Sequence, residues 1–358
     1  MIVKGRGAQT NPQDRFAPTS CELVDDDWGG LTASMAARAE KSANRTELFV
    51  DKNRTIITTN TSPDLPFEQS INPYQGCEHG CVYCYARPSH NYWGHSSGLD
   101  FERKIYAKAD PQNQLRAALD KPSYQCQVIS IGSNTDPYQP YERDLKITRS
   151  ILEILADYRH PVGIVTKSAG IVRDIDILQD LARDGLVHVY LSITTLDTEL
   201  ARKLEPRAST PAKRLQAMAQ LSTANIPVGV FMAPVIPGLT DHEIEPLINA
   251  AADAGAIQAN AILLRLPYDV KDLFETWLET HFPSRKARVL SLLRQCRQGK
   301  LNDPNFHSRM RGSGPIADLI HQRFAKARAA NGLHQRVLPM RTDLFKRPGA
   351  DEQLSLFA

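Results

Sequence analysis

No apolar run in the 358-residue chain approaches the roughly 18 residues that a membrane-spanning helix requires. Its opening, Met1 to Ala8, lacks the apolar core of a signal peptide. A cytoplasmic protein with no membrane association is expected. Cysteine is scarce: six residues in all, three of them inside one eight-residue window. Thiols crowded in this way do not staple distant segments, which argues against a disulfide framework and for a reducing compartment. Net charge is also small, +3, and the hydrophobic (42%) and charged (23%) fractions are those of an ordinary globular enzyme rather than a disordered or fibrous chain.

The small net charge conceals a split. From Arg285 to Arg347 there are 15 Lys and Arg against Asp303, Asp318 and Asp343, a net of +12, which leaves −9 for the rest of the chain. A basic C-terminal quarter is either the footprint of a polyanion site or a set of solvated helix faces.

Residues 1–65 are polar and without periodicity, and an extended N-terminal arm packing on a larger body is expected there. Short β-branched runs then recur at Val128 to Gly132, Val162 to Thr166, Val187 to Thr194, Ile226 to Ala233 and Ala261 to Leu266. Helical patterns lie between them. The clearest is Asp144 to Tyr158, with Ile147, Ile151, Ile154, Leu155 and Tyr158 on one face. Alternation of this kind predicts right-handed βα units and a parallel sheet. With a strand just before Cys77 there are six units, too few for a closed eight-stranded barrel. The expected fold is therefore α/β, a partial (β/α)6 barrel over 66–270. It is followed by a basic helical extension over 271–345, with helices at Lys271 to His281, Ala287 to Arg297 and Ile316 to Ala329, and a flexible tail over 346–358.

The segment Asn72 to Ala86 holds Cys77, Cys81 and Cys84 in a Cys-x3-Cys-x2-Cys arrangement among glycines and aromatics. Three thiolates are one short of a tetrahedral structural zinc site. They suffice for three irons of a [4Fe-4S] cluster, leaving the fourth iron open. A zinc loop completed by His79 or His90 is the alternative.

This spacing, with Tyr83 directly before the third cysteine and a strand ahead of the loop, resembles the motif of the radical S-adenosylmethionine (radical SAM) superfamily. The finer resemblance, over roughly 65–270, is to the subgroup containing spore photoproduct lyase, a DNA-repair enzyme. It implies that Cys77, Cys81 and Cys84 hold a [4Fe-4S] cluster whose open iron binds SAM. Reductive cleavage then yields a 5′-deoxyadenosyl radical, with electrons from a donor such as flavodoxin or ferredoxin. In that frame Ser133, Thr135 and Asp136, at the end of the second strand, are candidates for the methionine ammonium. Ser192 and Thr194 lie two apart and so on one side of the fourth strand, and Arg207, near Glu205 and Arg214, is a candidate for the SAM carboxylate. Val235, Ile236 and Gly238 resemble the stretch that packs on adenine. Thr240 or Asp241 reads as the cap of a helix from His242 to Ala254.

Tyr83 is assigned first to shielding the cluster and second to relaying hydrogen. Ser133 stands where spore photoproduct lyase has a hydrogen-donating cysteine, so dimer reversal by that route is not expected. Cys21, Cys126 and Cys296 are read as structural.

Gln353, Leu354, Ser355, Leu356 and Phe357 resemble the pentapeptide with which bacterial repair proteins dock on the sliding clamp. Together with Arg309, Arg311, Arg323, Lys326 and Arg328 as phosphate contacts, the tail points to a radical SAM enzyme acting on nucleic acid, most simply damaged or modified DNA. The competing readings are a radical SAM enzyme acting on RNA or protein, and a non-catalytic iron-sulfur or zinc protein that binds DNA.

Overall fold

A computed structural model describes residues 3–17, 45–333 and 339–348. Cys21 and the clamp-like segment Gln353 to Phe357 lie outside them. Six parallel strands form the principal sheet: β3 (Gln69–Ile71), β6 (Ile129–Ile131), β7 (Val162–Thr166), β8 (Val187–Ser192), β9 (Val228–Val235) and β10 (Gln258–Leu263). β2 (Ile57–Thr59) pairs antiparallel with β3 and ends the order β10-β9-β8-β7-β6-β3-β2. β10 and β2 do not pair with each other, so the sheet curls without closing. β1 (Glu47–Asp51), β5 (Lys104–Lys108) and β4 (Tyr74–Gln75) form a small second sheet beside the cysteine loop.

Val162, Ile164, Val187, Val189, Leu191, Val228 and Val230 alternate toward the helices and are fully or almost fully buried. The Ile147, Ile151, Ile154, Leu155 and Tyr158 face is buried against them. The single helix expected from Asp144 is instead two, α1 (Glu142–Leu145) and α2 (Ile147–Asp157), because Lys146 takes a left-handed backbone (φ 53°). Glu142 reaches across the break to accept from the Thr148 N–H (3.0 Å), capping the second helix from outside it.

The expected basic extension is also more than an appendage. α3 (Val270–His281) and α4 (Pro283–Gln295) bury Phe274, Trp277, Val289 and Leu293 in a second core with Val82, Tyr83, Leu200, Leu204, Ile236 and Leu264. Their charged faces point outward, while the apolar faces form the bed on which the cysteine loop rests.

The helix expected from His242 becomes a 3-10 turn followed by a helix over Ile244–Asp253, and neither proposed residue caps it. Thr240 Oγ1 accepts from the Ile236 N–H (2.9 Å) and Asp241 Oδ1 from the Gly238 N–H (2.8 Å), closing the loop after β9. Gly238 itself has φ 76°, and a Cβ there would lie 2.9 Å from Leu292 Cδ1 of α4. A side chain here would point at that helix. Gly238→Ala should therefore lower stability by about 1–2 kcal/mol, the cost of an alanine in the left-handed region. A urea titration should show a lower midpoint at unchanged slope.

Candidate active site

The loop from Asn72 to Ala86 crosses the C-terminal ends of the parallel strands. Cys77 and Cys81 are buried, and Cys84 is half-buried and packs against both neighbouring apolar clusters. Backbone bonds hold the loop's path: Cys77 N–H to Phe101 O (2.9 Å), Cys84 N–H to Cys81 O (3.2 Å) and Val82 N–H to Leu204 O (3.1 Å). Gly80 turns with φ 68°, where a side chain would meet the Glu102 carboxylate at 2.7 Å.

Beneath the loop is a buried ion pair that sequence reasoning missed. Arg87, fully buried, donates to Cys81 O (2.9 Å), Gly98 O (2.9 Å), Ser97 O (3.2 Å), Gly80 O (3.3 Å) and the Glu102 carboxylate. Glu102 in turn accepts from the Gly7 and Ala8 N–H groups (3.0 and 2.8 Å), drawing the N-terminal arm against the loop.

On the barrel side, Tyr83 donates to Glu205 and lies 3.0 Å from Thr194 Oγ1. Lys167, at the end of β7, donates to Ser192 Oγ (2.8 Å) and Ala233 O (3.1 Å), and its Nζ lies 3.2 Å from Glu205 Oε1. Arg214 is buried and paired with Glu205. Burial alone would push the Glu205 carboxyl up, but Arg214 and Lys167 outweigh it and hold Glu205 well below the usual range. The same carboxylate, after burial, keeps the Tyr83 phenol far above its ordinary pKa, so Tyr83 stays protonated as a donor.

The other sequence candidates divide. Ser192 and Thr194 do lie together, facing Lys167. Thr135 spends its hydroxyl on Tyr74 O (2.7 Å). Asp136 accepts from Thr166 Oγ1 (2.6 Å), the Lys167 N–H (2.7 Å) and the Tyr138 N–H (2.9 Å), tying the ends of β6 and β7 together. Although burial opposes it, the nearby His79 and these bonds hold Asp136 below its usual pKa. Ser133 offers its carbonyl to the Tyr85 hydroxyl. Arg207 is exposed and paired with Glu78 of the cysteine loop at 2.7 Å. Val235 is buried in the main core. Of the proposed phosphate contacts, Arg309 is held by Asp64 and Arg323 by Glu245, because each lies against an acidic residue from a distant segment. Lys326 and Arg311 are exposed.

The donor set suits a cluster better than one ion. Each thiolate of a cluster has its own iron, so the sulfurs need not converge on one point as zinc ligands must. Among the described residues no three His, Cys, Asp or Glu side chains are grouped to hold a single metal ion. His79 Nδ1 lies 3.3 Å from Asp136, out of line for a hydrogen bond. The buried His90 ring packs edge-on against Phe101 at 5.6 Å between centroids. Neither histidine completes a zinc site.

The structure is thus an open parallel βα barrel with a cysteine loop across its strand ends. Residues 71–251 match the family model described as the radical SAM superfamily. An uncharacterised protein of Mycobacterium tuberculosis is 33% identical over 258 residues, 72% of this chain and 74% of its own. The chain belongs to the radical SAM superfamily. It is accordingly a radical SAM enzyme, and a [4Fe-4S] cluster and SAM are its cofactors. A radical SAM Nalpha-GlyT isomerase of Pseudomonas phage M6 is 26% identical, covering 53% of this chain and 38% of that one. Spore photoproduct lyase complexed with dinucleoside spore photoproduct shares the fold at a TM-score of 0.59 and 15% identity, covering 89% of this chain and 86% of that one. No helix among the described residues is long and apolar enough to cross a membrane.

Proposed function

We propose that Cys77, Cys81 and Cys84 ligate three irons of the cluster and that the enzyme abstracts hydrogen from a nucleic-acid substrate, as in repair or modification of DNA. When bound, the cluster supplies the electron that divides SAM into methionine and a 5′-deoxyadenosyl radical. One observation supports the ligand assignment: the short segment that carries the three cysteines is pinned by Arg87 on one side and by Tyr83 on the other.

The remaining roles follow from what each side chain has left to offer. Lys167, with Ser192 and Thr194, provides a cation and hydroxyls for the SAM carboxylate. Arg207 provides a second cation at the loop's outer side. Ser133, at the end of β6, is assigned to the ammonium, with Thr135 and Asp136 shaping that strand end from behind. Val235 backs the adenine side, and Gly238 sets the turn that follows. Tyr83 shields the site and holds a proton on its phenol. The required electron donor is assigned to the ferredoxin or flavodoxin class. For the tail, docking of Gln353, Leu354, Ser355, Leu356 and Phe357 on a sliding clamp rests on the sequence pattern alone.

The nucleic-acid reading is supported by the basic C-terminal quarter and by the lyase named above, whose bound ligand is a dinucleoside photoproduct. It is tested by giving the reduced enzyme deuterated DNA and RNA pools. Deuterium appearing in 5′-deoxyadenosine from either pool supports the reading, and transfer only from a protein pool removes it.

A further inference from the structure

The mouth of the barrel carries exposed aromatic rings from segments far apart in sequence: Phe16 (56% exposed), Tyr85 (47%), Tyr92 (77%), Tyr268 (63%) and Phe306 (52%). Arginines interleave with them. The Arg15 guanidinium sits 3.9 Å from the Tyr268 ring centre and 5.3 Å from that of Phe16, which is 5.2 Å from Tyr92. Arg265 lies 4.8 Å over Tyr85, and Arg309 4.8 Å over Phe306. Tyr85 follows Cys84 and bonds to the end of β6, while Arg265 and Tyr268 follow β10. The rings therefore extend over strand ends on both sides of the opening.

Single exposed apolar residues need no explanation, but a set of rings gathered beside a reactive loop does. Two features show that the set is held outward. Tyr268 has a left-handed backbone (φ 50°), unusual for a bulky residue, and Arg15 is fixed by Asn91 Oδ1 at 3.0 Å. Arg265 is half-buried, with no carboxylate within ion-pairing distance among the described residues.

Aromatic faces alternating with guanidinium groups match a strand whose bases are unstacked and whose backbone is anionic. A duplex hides its base faces within its own stack. We propose that this surface binds an unpaired stretch of nucleic acid, with bases on Tyr92, Phe16 and Tyr268 and phosphate at Arg265, leading the strand to the cysteine loop. The proposal rests on the nucleic-acid reading above and specifies the form of the substrate.

The test is fluorescence anisotropy of the full-length, anaerobically reconstituted protein with labelled single-stranded DNA or RNA and with the matched duplex, over a salt series. Single strands should bind at least about tenfold more tightly than duplex. Tyr92→Ala and Tyr268→Ala should each lower that affinity by about fivefold or more at unchanged salt slope. Tyr92→Phe and Tyr268→Phe should retain it, since the ring and not the hydroxyl stacks, and thermal melts by circular dichroism check that every variant folds. Arg265→Gln should flatten the salt slope. Equal binding of duplex, normal binding by the alanine variants, or equal displacement by polyglutamate would overturn this surface while leaving nucleic acid as the substrate class. No binding of any nucleic acid at low salt would overturn both.

Discussion

Replacing Cys81 with alanine should leave a folded protein that retains little iron after anaerobic reconstitution and forms no detectable 5′-deoxyadenosine from SAM. The wild type should hold about four irons per chain, one for each cluster position. Cys81 is buried beside Val82 and Tyr83, and alanine occupies most of the same space, so the lost chemistry would not reflect a lost fold. Cys77→Ala and Cys84→Ala should behave alike. Cys296 is an equally buried thiol in the main core, remote in sequence from the loop. Cys296→Ala should keep both the iron and the brown colour, so the comparison separates a ligand set from general thiol content. Iron analysis, visible absorbance and chromatography of the SAM products read the outcome.

The second large effect is structural. Arg87→Met should destabilise the protein by about 3–5 kcal/mol, because it leaves Glu102 as a buried carboxylate without its cation. It also removes the donor from the carbonyls of Gly80, Cys81, Ser97 and Gly98. The Gly7 and Ala8 N–H bonds to Glu102 soften the loss without neutralising the charge. A denaturant midpoint that falls at unchanged slope measures it. Arg87→Met combined with Glu102→Leu should recover part of the stability, since an apolar pair tolerates burial better than one orphaned charge. The double variant should still reconstitute poorly, because the loop has lost the donor that fixes Cys81 O. A cluster bound as well as in the wild type would show that Arg87 serves the fold alone.

These two predictions also mark where sequence reading stops. The cysteines were legible because a cluster loop gathers its thiols within one short segment. Five of the six parallel strands were legible as short apolar runs alternating with helical patterns, the first only from its place ahead of the cysteine loop, and the Ile147 to Tyr158 face because its period survives the break at Lys146. Arg87 with Glu102, and Lys167 with Glu205 and Arg214, were not. Their partners lie on different elements, and no spacing in the chain reports that two strand ends will meet. Arg214 shows the limit well. The chain places it near Arg207 and Glu205 without revealing that it is the buried counter-ion of that carboxylate. Gly238 shows the same limit from another side, since the chain reveals a glycine without revealing that Leu292 stands against it. The basic quarter was visible as a charge count, but which arginines remain free depends on Asp64 and Glu245, both distant in sequence.

The most direct measurement is electron paramagnetic resonance of the anaerobically reconstituted, reduced wild-type protein before and after adding SAM, with the SAM products quantified from the same sample. Three cysteine ligands and an open fourth iron predict about four irons per chain. They also predict a spectrum that changes when SAM binds, and the appearance of methionine with 5′-deoxyadenosine. One zinc per chain, a spectrum indifferent to SAM and intact SAM after reduction would contradict it.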